Sequence, residues 1–150
     1  IANIQNKNPE VPNGTTPLHR ATEMGHLVIC NLIMENIQDK NPKGHNGETP
    51  LHLATQKGHL GICKFMIENV HDKHPADNDG DTPLHLAVLF CHLDICISII
   101  ESMQNKLIIA TIKNNDGDTP HDVASYCGFP KIYEYINSVL EKEILLKTKI

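Results

Sequence analysis

The six residues TPLHRA at positions 16–21 return almost unchanged as TPLHLA at 49–54 and again at 82–87. A fourth and more divergent copy, TPHDVA, occupies positions 119–124. Successive copies begin 33, 33 and 37 residues apart. Because a motif that recurs at a nearly constant interval is typical of a repeated structural unit, the spacing predicts four units in register rather than one catalytic site.

The motif contains the residues that favour the start of a helix. Thr is a good N-cap because its hydroxyl accepts a hydrogen bond from an unpaired amide of the first turn. Pro fits the first helical position, and the His three residues after Thr can bond back to the cap. Gly25 and Gly58 follow the motif at the same distance and are expected to end this helix in the left-handed region. The pattern then predicts a second helix that starts near Leu27, Leu60 or Leu93.

The predicted second helices are apolar over more than a single stripe. The first two units have apolar residues at equivalent positions. In the first unit these are Leu27, Ile29, Cys30, Ile33 and Met34, and in the second they are Leu60, Ile62, Cys63, Met66 and Ile67. A helix with so broad an apolar surface is typically buried between neighbours. We therefore expect these side chains to lie between stacked units.

With its 33-residue period and its T-P-L-H-x-A motif, the sequence resembles the ankyrin repeat family over nearly its whole length. The resemblance implies an all-α solenoid of helix-turn-helix units joined by β-turn fingers. It also implies a single ankyrin-repeat domain over residues 1–150, with repeats at approximately 11–43, 44–76, 77–113 and 114–150.

Two stretches depart from the repeat. The first, IANIQNKNP at 1–9, matches MENIQDKNP at 34–42, so we expect residues 1–10 to be the tail of a preceding repeat. Since the chain also lacks an initiator Met, we expect it to be a fragment of a longer array. The second is the apolar connector LIIATIKNND at 107–116, which carries four extra residues. The sequence leaves two conformations open for this connector, which are a helix extended from Lys106 and a long finger with β character.

The fourth unit is more polar than the others. His121 and Asp122 stand where the other copies have Leu and His. A polar substitution of this kind is typical of a terminal unit, because a terminal unit must face water.

Charge and composition exclude several classes of partner. The net charge is −5 with His neutral, which does not attract a phosphate backbone, so we expect no nucleic acid partner. We also expect no membrane partner, because no apolar run approaches the about 20 residues that span a bilayer.

The cysteines indicate a reducing compartment. Cys30, Cys63 and Cys96 follow the repeat period. Equivalent positions in stacked units lie on the order of 10 Å apart, whereas a disulfide needs Cα atoms within about 7 Å. We therefore predict buried, reduced core residues in a cytoplasmic protein.

The sequence shows no catalytic or cofactor motif. It contains no Walker loop, no G-x-S-x-G and no H-E-x-x-H. Cys91, His92 and Cys96 are close in sequence, but a zinc site needs a second Cys or His pair, and none is evident. We therefore expect no enzyme activity, no metal and no cofactor.

In the family that the sequence resembles, partners bind a concave groove formed by the fingers and the inner face of the first helices. Mapped onto this chain, the groove positions of the first two units are polar and mixed, among them Glu23, Glu48 and Gln56. The last two units combine acidic fingers with apolar side chains. The candidate partner-binding residues are Asp79, Asp81, Leu89, Phe90, Asp116, Asp118 and Tyr126.

The predicted function is a monomeric scaffold that binds a protein or peptide partner with basic groups and apolar anchors. Two alternatives stay open. In the first, Leu89 and Phe90 pack against a neighbouring repeat and the Asp residues only shape turns. In the second, the chain is a structural spacer inside a larger channel, toxin or signalling protein.

Overall fold

The computed structural model describes residues 12–150 and consists there of helix pairs joined by turns, without a β-strand. The α-helices of this range are α1 (Pro17–Glu23), α2 (Leu27–Met34), α3 (Pro50–Lys57), α4 (Leu60–Asn69), α5 (Pro83–Leu89), α6 (Leu93–Glu101), α7 (Pro120–Tyr126) and α8 (Pro130–Thr148). The predicted all-α solenoid is confirmed. The predicted tail of a preceding repeat, residues 1–10, lies outside the described residues.

Each first helix starts as the motif predicts. Helices α1, α3, α5 and α7 begin at the Pro after the motif Thr, and each has a capping box between that Thr and the third helical residue. Gly25 and Gly58 follow with φ values of 77° and 76°, as expected. Cys91 occupies the same position in the third unit at a φ of 60°. This conformation costs a non-glycine residue about 1 kcal/mol.

The helix pairs stack side by side. Helices α1, α3, α5 and α7 pack against one another in this order, and α2, α4, α6 and α8 form the second row. The core between the rows is built from equivalent residues of successive units. Fully buried members are Leu18, Leu51 and Leu84 from the first helices and Cys30, Cys63 and Cys96 from the second helices. These cysteines are free thiols, so the prediction of buried, unbridged cysteines is confirmed.

The first unit departs from the burial that was predicted for the second helices. Ile29 is 46% exposed, whereas the equivalent Ile62 and Ile95 are 2% and 0% exposed. Leu27 is also exposed. The prediction is wrong for these two residues because α4 and α6 each have a preceding helix pair beside them, while no described unit precedes α2. On the opposite side of α2, Cys30 and Met34 are buried as predicted.

The extra residues of the third interval form a 3-10 helix, Lys106–Ala110. Helix α6 ends at Glu101, so neither an extended helix nor a finger with β character is present here. The Asn105 side chain caps the segment by accepting a hydrogen bond from the Leu107 amide at 3.2 Å. Ile109 is fully buried, and the segment packs against α7 and α8. The connector is apolar because it extends the core toward α8.

The polar replacement in the fourth unit is accommodated at the end of the stack. His121 is half-buried and its Nε2 atom lies 2.6 Å from Oδ1 of Asn137 on α8. Its ring also stacks on Tyr133, with 5.4 Å between the ring centroids. Asp122 takes over the capping role of the motif His by accepting a hydrogen bond from the Thr119 amide at 2.9 Å.

Candidate binding groove

The motif histidines position the groove by joining each first helix to the next finger. The Thr49 amide donates to Nδ1 of His52 at 3.0 Å. Because Nδ1 is the acceptor, the proton of the neutral ring lies on Nε2. Nε2 donates to the backbone carbonyl of Asp81, at the base of the next finger, at 2.9 Å. Burial lowers the pKa of His52 and so favours this neutral ring.

The other two motif histidines make the same connections. His19 bonds to the carbonyl of Glu48 at 3.1 Å, and His85 bonds to the carbonyl of Asp118 at 3.0 Å. Burial also lowers the pKa of His85. Each of three successive fingers is thus hydrogen-bonded through its backbone to the first helix of the preceding unit.

A second pair of histidines links the second and third units to the units that precede them. His59 bonds to the carbonyl of Glu23 at 3.1 Å, and His92 bonds to the carbonyl of Gln56 at 3.3 Å. The neighbouring glycine leaves room for this ring, since a Cβ on Gly58 would lie 2.7 Å from Cε1 of His92. His59 and His92 therefore join the loops of neighbouring units.

The fingers are turns that are bonded to one another. The fingers of units two to four are each closed by a backbone hydrogen bond across four residues, as expected of β-turns. The Asn78 amide donates to the carbonyl of Asn46 at 2.8 Å, and the Asn115 amide donates to the carbonyl of Asp79 at 2.9 Å. The row of fingers is therefore a continuous surface with a set spacing.

The three apolar candidates lie on the surface. Leu89 is 46% exposed, Phe90 is 42% exposed and Tyr126 is 62% exposed. Leu89 and Tyr126 end the neighbouring helices α5 and α7 at equivalent positions. Each of these three side chains is therefore accessible to a partner, and the alternative in which Leu89 and Phe90 pack against a neighbouring repeat stays open.

The acidic candidates at the base of the fingers have partners within the protein. Oδ1 of Asp81 accepts a hydrogen bond from the Asn114 side chain at 2.8 Å. Oδ2 of Asp118 accepts one from the hydroxyl of Tyr126 at 3.0 Å. Partial desolvation and then this carboxylate raise the pKa of Tyr126 to about 12, so its hydroxyl is a donor at neutral pH.

The acidic candidates at the finger tips are exposed. Asp79 and Asp116 both face solvent. The turns around them are shaped by other residues, because Oδ1 of Asp77 accepts the amides of Asp79 and Asp81 at 2.9 Å each. The carboxylates of the two tip residues are thus separate from the side chains that form the turns.

The arrangement of metal-binding side chains and the state of two buried thiols bear on the chemistry of residues 12–150. No three His, Cys, Asp or Glu side chains of this range converge on a point where a metal would bind. Burial raises the pKa of Cys63 and Cys96 to about 12, and such protonated thiols are poor nucleophiles. In the same part of the chain, no helix is both long enough and apolar enough to cross a membrane.

A cleft of about 580 Å³ lies in the other half of the groove, between α1 and α3. Sequence reasoning gave no weight to this half, although Glu48 of the cleft was among its groove positions. Oε2 of Glu48 is buried and has no hydrogen-bond partner. The sequence did contain a sign that the second finger differs from the others. Gly44 stands where the next two fingers have Asp77 and Asn114.

Comparison with protein families agrees with the repeat spacing and the helix pairs. Residues 33–109 match a family model described as ankyrin repeats in three copies, and residues 13–43 match a model described as an ankyrin repeat. No curated protein is significantly similar to the chain.

Proposed function

We propose that this chain, which belongs to the ankyrin repeat family, binds a protein or peptide partner through its concave groove. Ankyrin repeats are generally protein–protein interaction modules, and proteins built from them are typically non-enzymatic scaffolds. The observation that carries the proposal is the exposure of Leu89, Phe90 and Tyr126 along the ends of two adjacent first helices.

The chemistry of this surface suits a partner with apolar and basic groups. Large apolar side chains at the centre of an interface typically supply most of the binding free energy. Asp79 and Asp116 lie at the tips of the fingers above them and form a charged rim. Asp81 and Asp118 fix the base of the rim, since each accepts a hydrogen bond from within the protein.

The histidine contacts support binding by a rigid groove. His52 and His85 hold the third and fourth fingers through backbone carbonyls. A surface that is already ordered loses less conformational entropy when a partner binds. The groove therefore presents its side chains without a folding step.

We place the protein in the reducing cytoplasm as a monomer, with residues 1–150 as one repeat domain. The free thiols of Cys30, Cys63 and Cys96 support the reducing environment. The net charge of −5 supports a basic protein partner over a nucleic acid.

The test compares equivalent groove positions in different units. A partner is first captured with the purified protein, and its Kd is then measured for Phe90→Ala and Tyr126→Ala. We expect each change to weaken binding about 30-fold or more, since truncating an anchor costs on the order of 2 kcal/mol. The matched controls are Lys57→Ala, equivalent to Phe90, and Gln56→Ala, equivalent to Tyr126.

The contribution of the charged rim is tested by measuring the rate of association with the partner. Asp79→Asn and Asp116→Asn should slow association and reduce its salt dependence, with little effect on dissociation. The assignment to units three and four is wrong if the anchor variants bind like wild type. A groove that binds no partner would support the spacer alternative.

A further inference from the structure

We propose that the cleft between α1 and α3 is a subsite for a basic side chain of the partner, with the Glu48 carboxylate as its acceptor. The inference rests on the proposed function only in that the basic side chain belongs to a protein partner.

The cleft combines apolar and acidic walls. Its volume is about 580 Å³, and its lining includes Pro17, Arg20, Glu23, Glu48 and Leu53. Leu53 and Pro17 offer apolar surface to the methylene stem of a long side chain. A stem packed in this way leaves the charged head of Arg or Lys free to reach a carboxylate.

Glu48 differs from the equivalent residues of the next two units in having a buried carboxylate oxygen without a hydrogen bond. Asp81 accepts a hydrogen bond from Asn114, and Asp118 accepts one from Tyr126. Oε2 of Glu48 is buried without any hydrogen bond. A carboxylate oxygen that has lost water without gaining a donor is destabilised, so a rotation of the Glu48 side chain that brings this oxygen to a donor in the cleft is favoured.

Two cations of the described residues that lie near the cleft, Arg20 and Lys43, already have partners. Nη1 of Arg20 lies 2.7 Å from Oε2 of Glu23, in an ion pair. The ammonium of Lys43 donates to the carbonyl of Ala76 at 2.9 Å. Neither cation forms an ion pair with Glu48, so its carboxylate is available to a cation of a partner.

The sequence of the second finger explains why the Glu48 carboxylate is placed differently from those of Asp81 and Asp118. Gly44 stands where Asp77 and Asn114 accept the amides of their own turns. A Cβ on Gly44 would lie only 2.6 Å from Oε1 of Glu48, so the carboxylate occupies the space of the missing side chain. Glu48 is also one methylene longer than its equivalents and can turn from there toward the cleft.

The test uses a small cation in place of the unidentified partner. Nα-acetyl-arginine methylamide is titrated into the full chain, and amide chemical shifts are followed by NMR. We expect saturable shifts at Glu48 and Leu53 with a Kd of about 1 mM, as suits so small a ligand. The neutral isostere Nα-acetyl-citrulline methylamide should bind about 10-fold more weakly, because it lacks the charge-assisted hydrogen bond.

Substitutions that remove the charge of Glu48 or of a distant glutamate test whether the Glu48 charge is needed for binding. Glu48→Gln should weaken the arginine ligand by about 10-fold, whereas the exposed Glu68→Gln should not change it. Equal binding of the arginine and citrulline ligands, or an unchanged Kd in Glu48→Gln, would overturn the proposal.

The two proposals fail separately. If the arginine ligand binds but anchor variants bind a captured partner normally, the C-terminal anchor assignment is wrong and the subsite stands. If the anchor variants lose the partner and the arginine ligand does not bind, the subsite is wrong and the groove assignment stands.

Discussion

The Nε2 atom of His52 lies 2.9 Å from the backbone carbonyl oxygen of Asp81, 29 residues further along the chain. The other ring nitrogen of His52 accepts the Thr49 amide at 3.0 Å. A single buried ring therefore caps α3 and holds the finger of the next unit. Helix capping and groove geometry depend on the same side chain.

Replacing this ring should lower the stability of the whole array. We expect His52→Ala to reduce the free energy of unfolding by about 2 kcal/mol or more, since it removes a cap and leaves a carbonyl without its donor. Urea denaturation followed by circular dichroism measures the change. His71→Ala, at an exposed position, is the matched control. Equal effects of the two substitutions would contradict the connecting role of His52.

Stability should fall as the pH is lowered through the range in which histidine titrates. Burial lowers the pKa of His52 and His85 below the ordinary 6.5, while their hydrogen bonds to the carbonyls of Asp81 and Asp118 oppose the shift. The unfolded state therefore binds more protons just below pH 6.5, so the stability present above that pH is lost as the pH falls.

Urea midpoints at pH 7.5, 6.5 and 5.5 measure this dependence. The control is the double variant His52→Asn with His85→Asn, which should be less stable throughout and should show a flatter pH profile. An unchanged slope in the double variant would assign the pH dependence to other groups.

Cys91→Gly should stabilise the protein. Cys91 has a φ of 60°, whereas glycine occupies this position at 77° and 76° in the first two units. Relief of the left-handed strain should add about 1 kcal/mol to the free energy of unfolding. Cys91→Ala removes the thiol but keeps the Cβ, so it should give no such gain. An equal gain from both variants would assign the effect to the thiol.

A helix pair added before the first unit should stabilise the array. Ile29 is 46% exposed, although equivalent residues in later units are buried by the preceding pair. A copy of residues 44–76 placed directly before residue 11, in place of residues 1–10, keeps the 33-residue register. We expect a higher urea midpoint and a larger m-value, because stability in such arrays comes from interfaces between neighbours.

The control for this experiment is a Gly/Ser segment of equal length at the same place. The Gly/Ser segment should leave the urea midpoint unchanged. A copy of residues 44–76 that also leaves the midpoint unchanged would show that the exposed face of α2 does not accept a preceding unit.

The helix starts and the loop glycines could be predicted because the interactions that decide them are local. Thr49 and His52 are three residues apart, and Gly58 needs its φ of 76° whatever packs nearby. Local rules of this kind operate within one or two turns of the chain. The repeat period then transfers each prediction to the other units.

The conformation of Lys106–Ala110 could not be predicted, because its apolar pattern is compatible with several local structures. The side chain of Ile109 is buried against α7 and α8, which lie later in the sequence. The exposure of Ile29 has the same origin, since its surroundings depend on whether a neighbouring unit is present. Burial between units is a property of the stack, and a single helix does not contain that information.

In the candidate site, too, some features could be predicted from the sequence and others depend on the tertiary structure. The repeat period, combined with the groove that the family uses, predicted that Leu89, Phe90 and Tyr126 occupy groove positions, because equivalent residues of a regular solenoid face the same way. The tertiary structure decided how each carboxylate is used: Asp118 accepts the hydroxyl of Tyr126, while Oε2 of Glu48 has no donor. These outcomes depend on donors that folding brings near each carboxylate and on the space left by Gly44, and the sequence pattern does not specify either.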